Sequence, residues 1–218
     1  MSGSIFSSLL VLVMLLNFYC LGTSRIRALI QGVSLQGVLL GIMPLLVHEH
    51  LEVLPVLMSI MTVAIKGVVI PLMLLHALRE LPIKREVEPF LGFVTSLVLA
   101  AVGTALAVAF AQNLPLGKGI TADSGAHLVV AASLATVFSG FLILITRLKA
   151  VTQIVGYLVL ENGVFIFGML LVEAMPFFVE VGILLDLVVG IFVMGIIVNH
   201  ISREFPSDST ERLSTLKE

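Results

Sequence analysis

Apolar residues along this chain come in long unbroken runs rather than in the alternating or 3.6-period patterns of a soluble domain. A helix needs about 20 apolar residues to cross the hydrocarbon layer of a bilayer. Seven runs meet that length, over residues 5–23, 28–47, 53–78, 89–112, 126–146, 151–172 and 177–200. The pattern predicts an all-α integral membrane bundle of seven transmembrane helices. The first run lacks a basic stretch before it and is followed by more of its kind, so it reads as a retained span rather than a signal peptide. Residues 204–218 are polar and lack a span-length run, which predicts a tail outside the membrane.

The connections carry a second pattern. Arg25 and Arg27 follow the first span, Arg79, Lys84 and Arg85 the third, Arg147 and Lys149 the fifth, and Arg203, Arg212 and Lys217 the seventh. Ten of the twelve basic residues thus fall on one face of a seven-span chain. Lys and Arg collect in short cytoplasmic loops, so the N-terminus is expected outside and the C-terminus inside. The opposite loops hold the run His48 to Glu52, Lys118 and Glu173.

Two short segments recur. Arg25-Ile26-Arg27-Ala28 resembles Arg147-Leu148-Lys149-Ala150, and His76-Ala77-Leu78-Arg79-Glu80 resembles His200-Ile201-Ser202-Arg203-Glu204. Their spacing suggests that spans one to three are repeated, in parallel, by spans five to seven, with span four as connector. The organisation expected is a four-helix part over 1–112, a three-helix part over 113–203 and the tail over 204–218.

Composition agrees with a lipid environment: 59% of residues are hydrophobic and 12% charged, with a mean hydropathy of +1.17. The net charge of −2, without a basic stripe, argues against nucleic acid as a partner. Cys20 is the single cysteine, so this chain cannot build a disulfide or a Cys-based cluster by itself. No phosphate-binding glycine loop and no nucleophile–base set is legible, and neither a cofactor nor independent catalysis is expected.

Candidate chemistry lies in three ionisable side chains near the middle of apolar spans. Glu161 is central in span six, Asp186 in span seven and Lys66 in span three. A charge at that depth costs about 2.5 to 3.5 kcal/mol on insertion scales, and burial favours its neutral form. Such groups can carry a proton between states. They can also lock helices together, and for Lys66 a relay and a counter-ion to Glu161 or Asp186 are both open. Tyr157 lies one turn before Glu161 and can donate to it. Glu180 lies nearer the outer surface and marks a weaker candidate. His76, His127 and His200 sit near span ends, where histidine is common. The His48-Glu49-His50 run does not by itself supply converging metal ligands. Gly32, Gly37, Gly103 and Ser133 are expected where helices approach closely.

The stretch Gln153-Ile154-Val155-Gly156-Tyr157-Leu158-Val159-Leu160-Glu161-Asn162-Gly163, with Val179 to Asp186 after it, resembles component E of the hydrogenase-4 type of formate hydrogenlyase. The last three spans also resemble the small K subunit of respiratory complex I and the C subunit of multisubunit sodium/proton antiporters. In that subunit two consecutive helices each carry an embedded glutamate on the proton route. The resemblance places Glu161 on the first and Asp186 on the second, with aspartate in place of glutamate and four further helices before the matching part. It implies a non-catalytic, cofactor-free subunit in a prokaryotic cytoplasmic membrane. The partners implied are antiporter-like and complex I-like membrane subunits, and the nickel-iron hydrogenase-like and iron-sulfur subunits of a soluble arm. If the repeat holds, Gln36 lies near the level of Glu161, and Lys66 replaces an acid. A proton path through Glu161, Asp186 and Lys66, with Tyr157, Glu180, Gln36 and His76 as weaker members, is one expectation. A structural adaptor in the same complex and a stand-alone secondary transporter are the alternatives.

Overall fold

The computed structural model describes residues 2–47, 53–80, 91–114, 125–147 and 149–170, and these are almost wholly helical. The elements are α1 (Ser2–Gly22), α2 (Ile26–Val47), α3 (Val53–Thr62), a π-helical segment (Val63–Val69), α4 (Ile70–Glu80), α5 (Phe93–Gln112), α6 (Gly125–Thr146) and α7 (Ala150–Gly168). With α3, the π segment and α4 read as one rod, six helices among the described residues are long and apolar enough to cross a membrane. They coincide with the first six predicted spans. The expected seventh span over 177–200, with Glu180 and Asp186, lies outside the described residues, as do His48 to Glu52 and the tail.

The distribution of side chains is that of a protein dissolved in lipid. Leu15, Ile60, Leu72, Val94, Leu106 and Ile145 are among the large apolar residues turned outward, while Asn17, Gln36, Ser96, Thr136, Glu161 and Asn162 are buried. A soluble domain does the reverse. In hydrocarbon no water competes for polar groups, so they are satisfied only inside the bundle.

The predicted single helix over 53–78 is interrupted, and the reason is local. In a regular α-helix the Gly67 carbonyl would accept from the N–H of residue 71, but residue 71 is proline and has none. The rod instead widens, and the Ile70 N–H reaches back five residues to the Ile65 carbonyl. In the sequence, Pro71 marks this missing donor.

Close packing follows the small residues. A Cβ added to Gly37 would lie 2.9 Å from the Lys66 carbonyl oxygen, and one on Gly163 would lie 2.6 Å from the Val137 backbone nitrogen. Gly32 faces Tyr19 and Cys20 across the α1–α2 hairpin, and Gly156 faces Ile143 and Leu144 across the α6–α7 hairpin. Each residue of the second set lies 124 positions after its counterpart in the first. Arg25 and Arg147, 122 apart, both take part in an isolated backbone bridge at the turn into the following helix.

Arg147 joins these two turns. Its Nη2 donates to the Leu21 carbonyl at 2.6 Å, where α1 has a free carbonyl end, and its guanidinium lies 4.9 Å from the centre of the Phe93 ring at the start of α5. The residue reads in sequence as a solvated loop charge, yet it is only 1% exposed. The two hairpin turns and the start of α5 therefore share one end of the bundle. At the other end, His127 Nδ1 donates to the Ala111 carbonyl at 2.6 Å, which ties the start of α6 to the end of α5.

Because a Cβ on Gly156 would meet the Leu144 backbone nitrogen at 2.8 Å, Gly156→Val must separate α6 from α7. The expected loss is about 1 to 3 kcal/mol, read as a lower unfolding midpoint in detergent or bicelles, whereas Val164→Ala on the outward face of α7 leaves the midpoint nearly unchanged.

Candidate functional site: a buried polar layer

Five spans contribute side chains to a buried polar layer. Lys66 comes from the π segment and Glu161 from α7, and Lys66 Nζ lies 3.0 Å from Glu161 Oε1 with each side chain 9% exposed. The Phe165 ring, one turn after Glu161, lies 5.2 Å from the same ammonium. The ammonium is thus held between a carboxylate and an aromatic face, both from α7.

Beside the ion pair runs a chain of amides. Asn162 Nδ2 donates to Gln36 Oε1 at 3.4 Å, Gln36 Nε2 donates to Asn17 Oδ1 at 2.8 Å, and Asn17 Nδ2 donates to Thr136 Oγ1 at 2.8 Å. Thr136 Oγ1 in turn donates to the Ala132 carbonyl at 2.7 Å. The last acceptor sets the direction of all the others. A carbonyl can only accept, so the Thr136 hydroxyl must donate to it and can receive only from an NH2 group. The Asn17 oxygen is then turned to Gln36, and the Gln36 oxygen to Asn162. The chain joins α1, α2, α6 and α7 and ends at the residue adjacent to Glu161.

The predicted residues fall as follows. Glu161 and Lys66 are brought together, which realises the counter-ion arrangement. Gln36 is fully buried and accepts from Asn162, the residue next to Glu161. Tyr157 is half-buried one turn before Glu161. His76 is exposed on α4, ten residues and roughly 15 Å of helix rise beyond Lys66. Asp186 and Glu180 lie outside the described residues. Among the described residues no cluster of three or more His, Cys, Asp or Glu could hold a metal.

Asn17, Thr136 and Asn162 were missed by sequence reasoning, which started from ionisable groups and reached one amide, Gln36, only through the repeat. Asn17 and Asn162 carried a usable signal, since each is a lone amide inside an apolar run. Thr136 carried none, because hydroxyls bond locally along helices as a rule.

The chain is similar to an uncharacterized protein of Mycobacterium tuberculosis, with 29% identity over 197 residues, covering 88% of this chain and 87% of that one. It is also similar to the hydrogenase-4 component E of Escherichia coli and that of Shigella flexneri, each 27% identical over 154 residues, or 70% of this chain and 68% of the relative. No family model matches the chain, and no solved structure does.

Asn17→Leu leaves Gln36 Nε2 without its nearest acceptor and Thr136 without its donor. It is expected to lower stability by about 1 to 3 kcal/mol, as is Gln36→Leu. Because both cut one chain, the double variant should lose clearly less than the sum, which a double-mutant cycle by unfolding in bicelles measures.

Proposed function

We propose that this chain is a cofactor-free membrane subunit of a hydrogenase-type, redox-driven ion-translocating complex, and that Lys66 and Glu161 form a switchable ion pair on its proton path. The observation that carries this reading is the 3.0 Å pair of opposite charges donated by two different spans inside the bundle. Ionisable groups at this depth are costly and mark ion and proton pathways. The similarity to hydrogenase-4 component E supplies the setting. In that setting the chain links antiporter-like and complex I-like membrane subunits to a soluble arm carrying nickel-iron and iron-sulfur subunits, in a prokaryotic cytoplasmic membrane.

The chemistry asked of the pair is modest. With the pair closed, Glu161 is ionised and Lys66 protonated. When a proton reaches Glu161, the attraction is lost, and Lys66 is left as a buried charge that must find another partner or release its own proton. Asp186 is the proposed next acid on the path, with Tyr157 and Glu180 as flanking donors. Proton transfer between them runs through water chains that form as the pair opens.

The parallel repeat belongs to the same reading. It is supported by the matching Gly32 and Gly156 contacts, 124 positions apart, and by the isolated backbone bridges at Arg25 and Arg147, 122 apart. Under it, spans five to seven repeat one to three, the basic end of the bundle faces the cytoplasm, and residues 113–203 form the part akin to the K subunit.

A second reading is favoured by the amide chain, whose bonds are satisfied in sequence as in a structural lock. There the chain is an adaptor that seats the redox arm, and the ion pair only holds helices. The test is Glu161→Gln in the tagged, co-purified complex. A conduit predicts that companions are retained while pumping falls at least about a hundredfold, the lower range seen on losing a proton-transfer group. An adaptor predicts reduced complex yield with normal specific activity in what survives.

A further inference from the structure

We infer that Ser34 is a positioning residue for Lys66: its hydroxyl supplies the hydrogen bond that Pro71 withholds from Gly67, and so holds the π segment in the register that presents Lys66 to Glu161. The inference rests on the ion-pair reading above for its functional meaning, and on separate geometry for its substance.

Ser34 Oγ donates to the Gly67 carbonyl at 2.6 Å. That bond is unusual for a helical serine. A hydroxyl in a helix ordinarily donates to its own chain three or four residues back, as Ser8 does to Ser4 and Thr136 to Ala132 in this protein. Ser34 instead reaches across from α2. The carbonyl it reaches is the one whose α-helical donor would be residue 71, a proline without an N–H. An unsatisfied carbonyl at this depth costs several kcal/mol, so a donor from a neighbouring helix decides which local geometry is tolerated.

The surrounding contacts fit a clamp. Gly37, one turn after Ser34, lets α2 press against the backbone of Lys66, where a Cβ would come within 2.8 Å of the Lys66 carbonyl carbon. Gly67 faces Val38 just as closely, with a Cβ there 2.7 Å from Val38 Cγ2. The π segment is thus held by one hydrogen bond and two glycine contacts from a single face of α2. A one-residue change in register turns a helical side chain by about 100°, enough to take Lys66 off Glu161. Widened turns of this kind recur at functional sites, where the inserted residue sets the aim of a side chain.

Two substitutions test this from opposite sides. Ser34→Ala removes the donor, and Pro71→Ala restores an N–H that can bond Gly67 within a regular helix. Both should let the segment relax and move Lys66 away. The readout is the Glu161 carboxyl band, isolated as the infrared difference between each protein and the same protein carrying Glu161→Gln. At neutral pH the wild type and Ser34→Thr show a carboxylate. In Ser34→Ala and in Pro71→Ala the carboxylate band is lost to a protonated-acid band, and the double variant changes no further. An unchanged carboxylate band in both single variants overturns the inference, whatever happens to pumping. A shifted band in a complex that pumps normally upholds the positioning role and removes the conduit reading instead. Pro71→Ala adds a hydrogen bond rather than deleting one, so the test stands even where Ser34→Ala fails to assemble.

Discussion

The contact on which the rest of this structure turns is the pair between the Lys66 ammonium and the Glu161 carboxylate, 3.0 Å apart inside the helical bundle. Taking either charge alone into hydrocarbon is prohibitive, and together they are tolerable only with good geometry and further partners. That requirement explains features that would otherwise be separate. The π segment carries Lys66, the Phe165 ring lies beside the ammonium, and Gly37 and Gly41 of α2 let that helix press against the backbone that bears the lysine.

The amide chain obeys the same constraint with a different result. Asn162, Gln36, Asn17 and Thr136 hand hydrogen bonds in one direction toward the Ala132 carbonyl. Reversing any one amide would set two donors or two acceptors face to face. A chain of this kind resists rearrangement, because each link fixes the orientation of the next. It therefore serves as a frame that holds α1, α2, α6 and α7 in register beside the ion pair.

How much of this was legible in the sequence follows from which forces act locally. Span positions were readable because hydropathy over about 20 residues is a local property, and six spans coincide with helices. Glu161, Lys66 and Gln36 were readable as polar groups in apolar surroundings. Their pairing was open, since a sequence gives depth along each span but not which faces meet. The interruption of the third span was barely visible: Pro71 marked a missing donor, but the replacement, Ser34, lies on another helix. Arg147 misled for a related reason. Its place after a span suits a loop charge, and only the packed structure brings the Leu21 carbonyl and the Phe93 ring to it.

Arg147 and Lys66 show the two uses of a buried cation side by side. The guanidinium of Arg147 donates at a helix end and lies over an aromatic ring, and although burial pushes its pKa down, arginine starts from so high a value that it serves as a fixed charge. It can fasten helices, and it cannot relay protons. Lysine at position 66 is a compact point charge on a flexible stem, set against a single carboxylate oxygen. An arginine there would make a stronger, forked lock with Glu161 and would serve a purely structural role better. That the interior position carries lysine while the interface carries arginine is the arrangement expected if the inner pair must open and the outer contact must not.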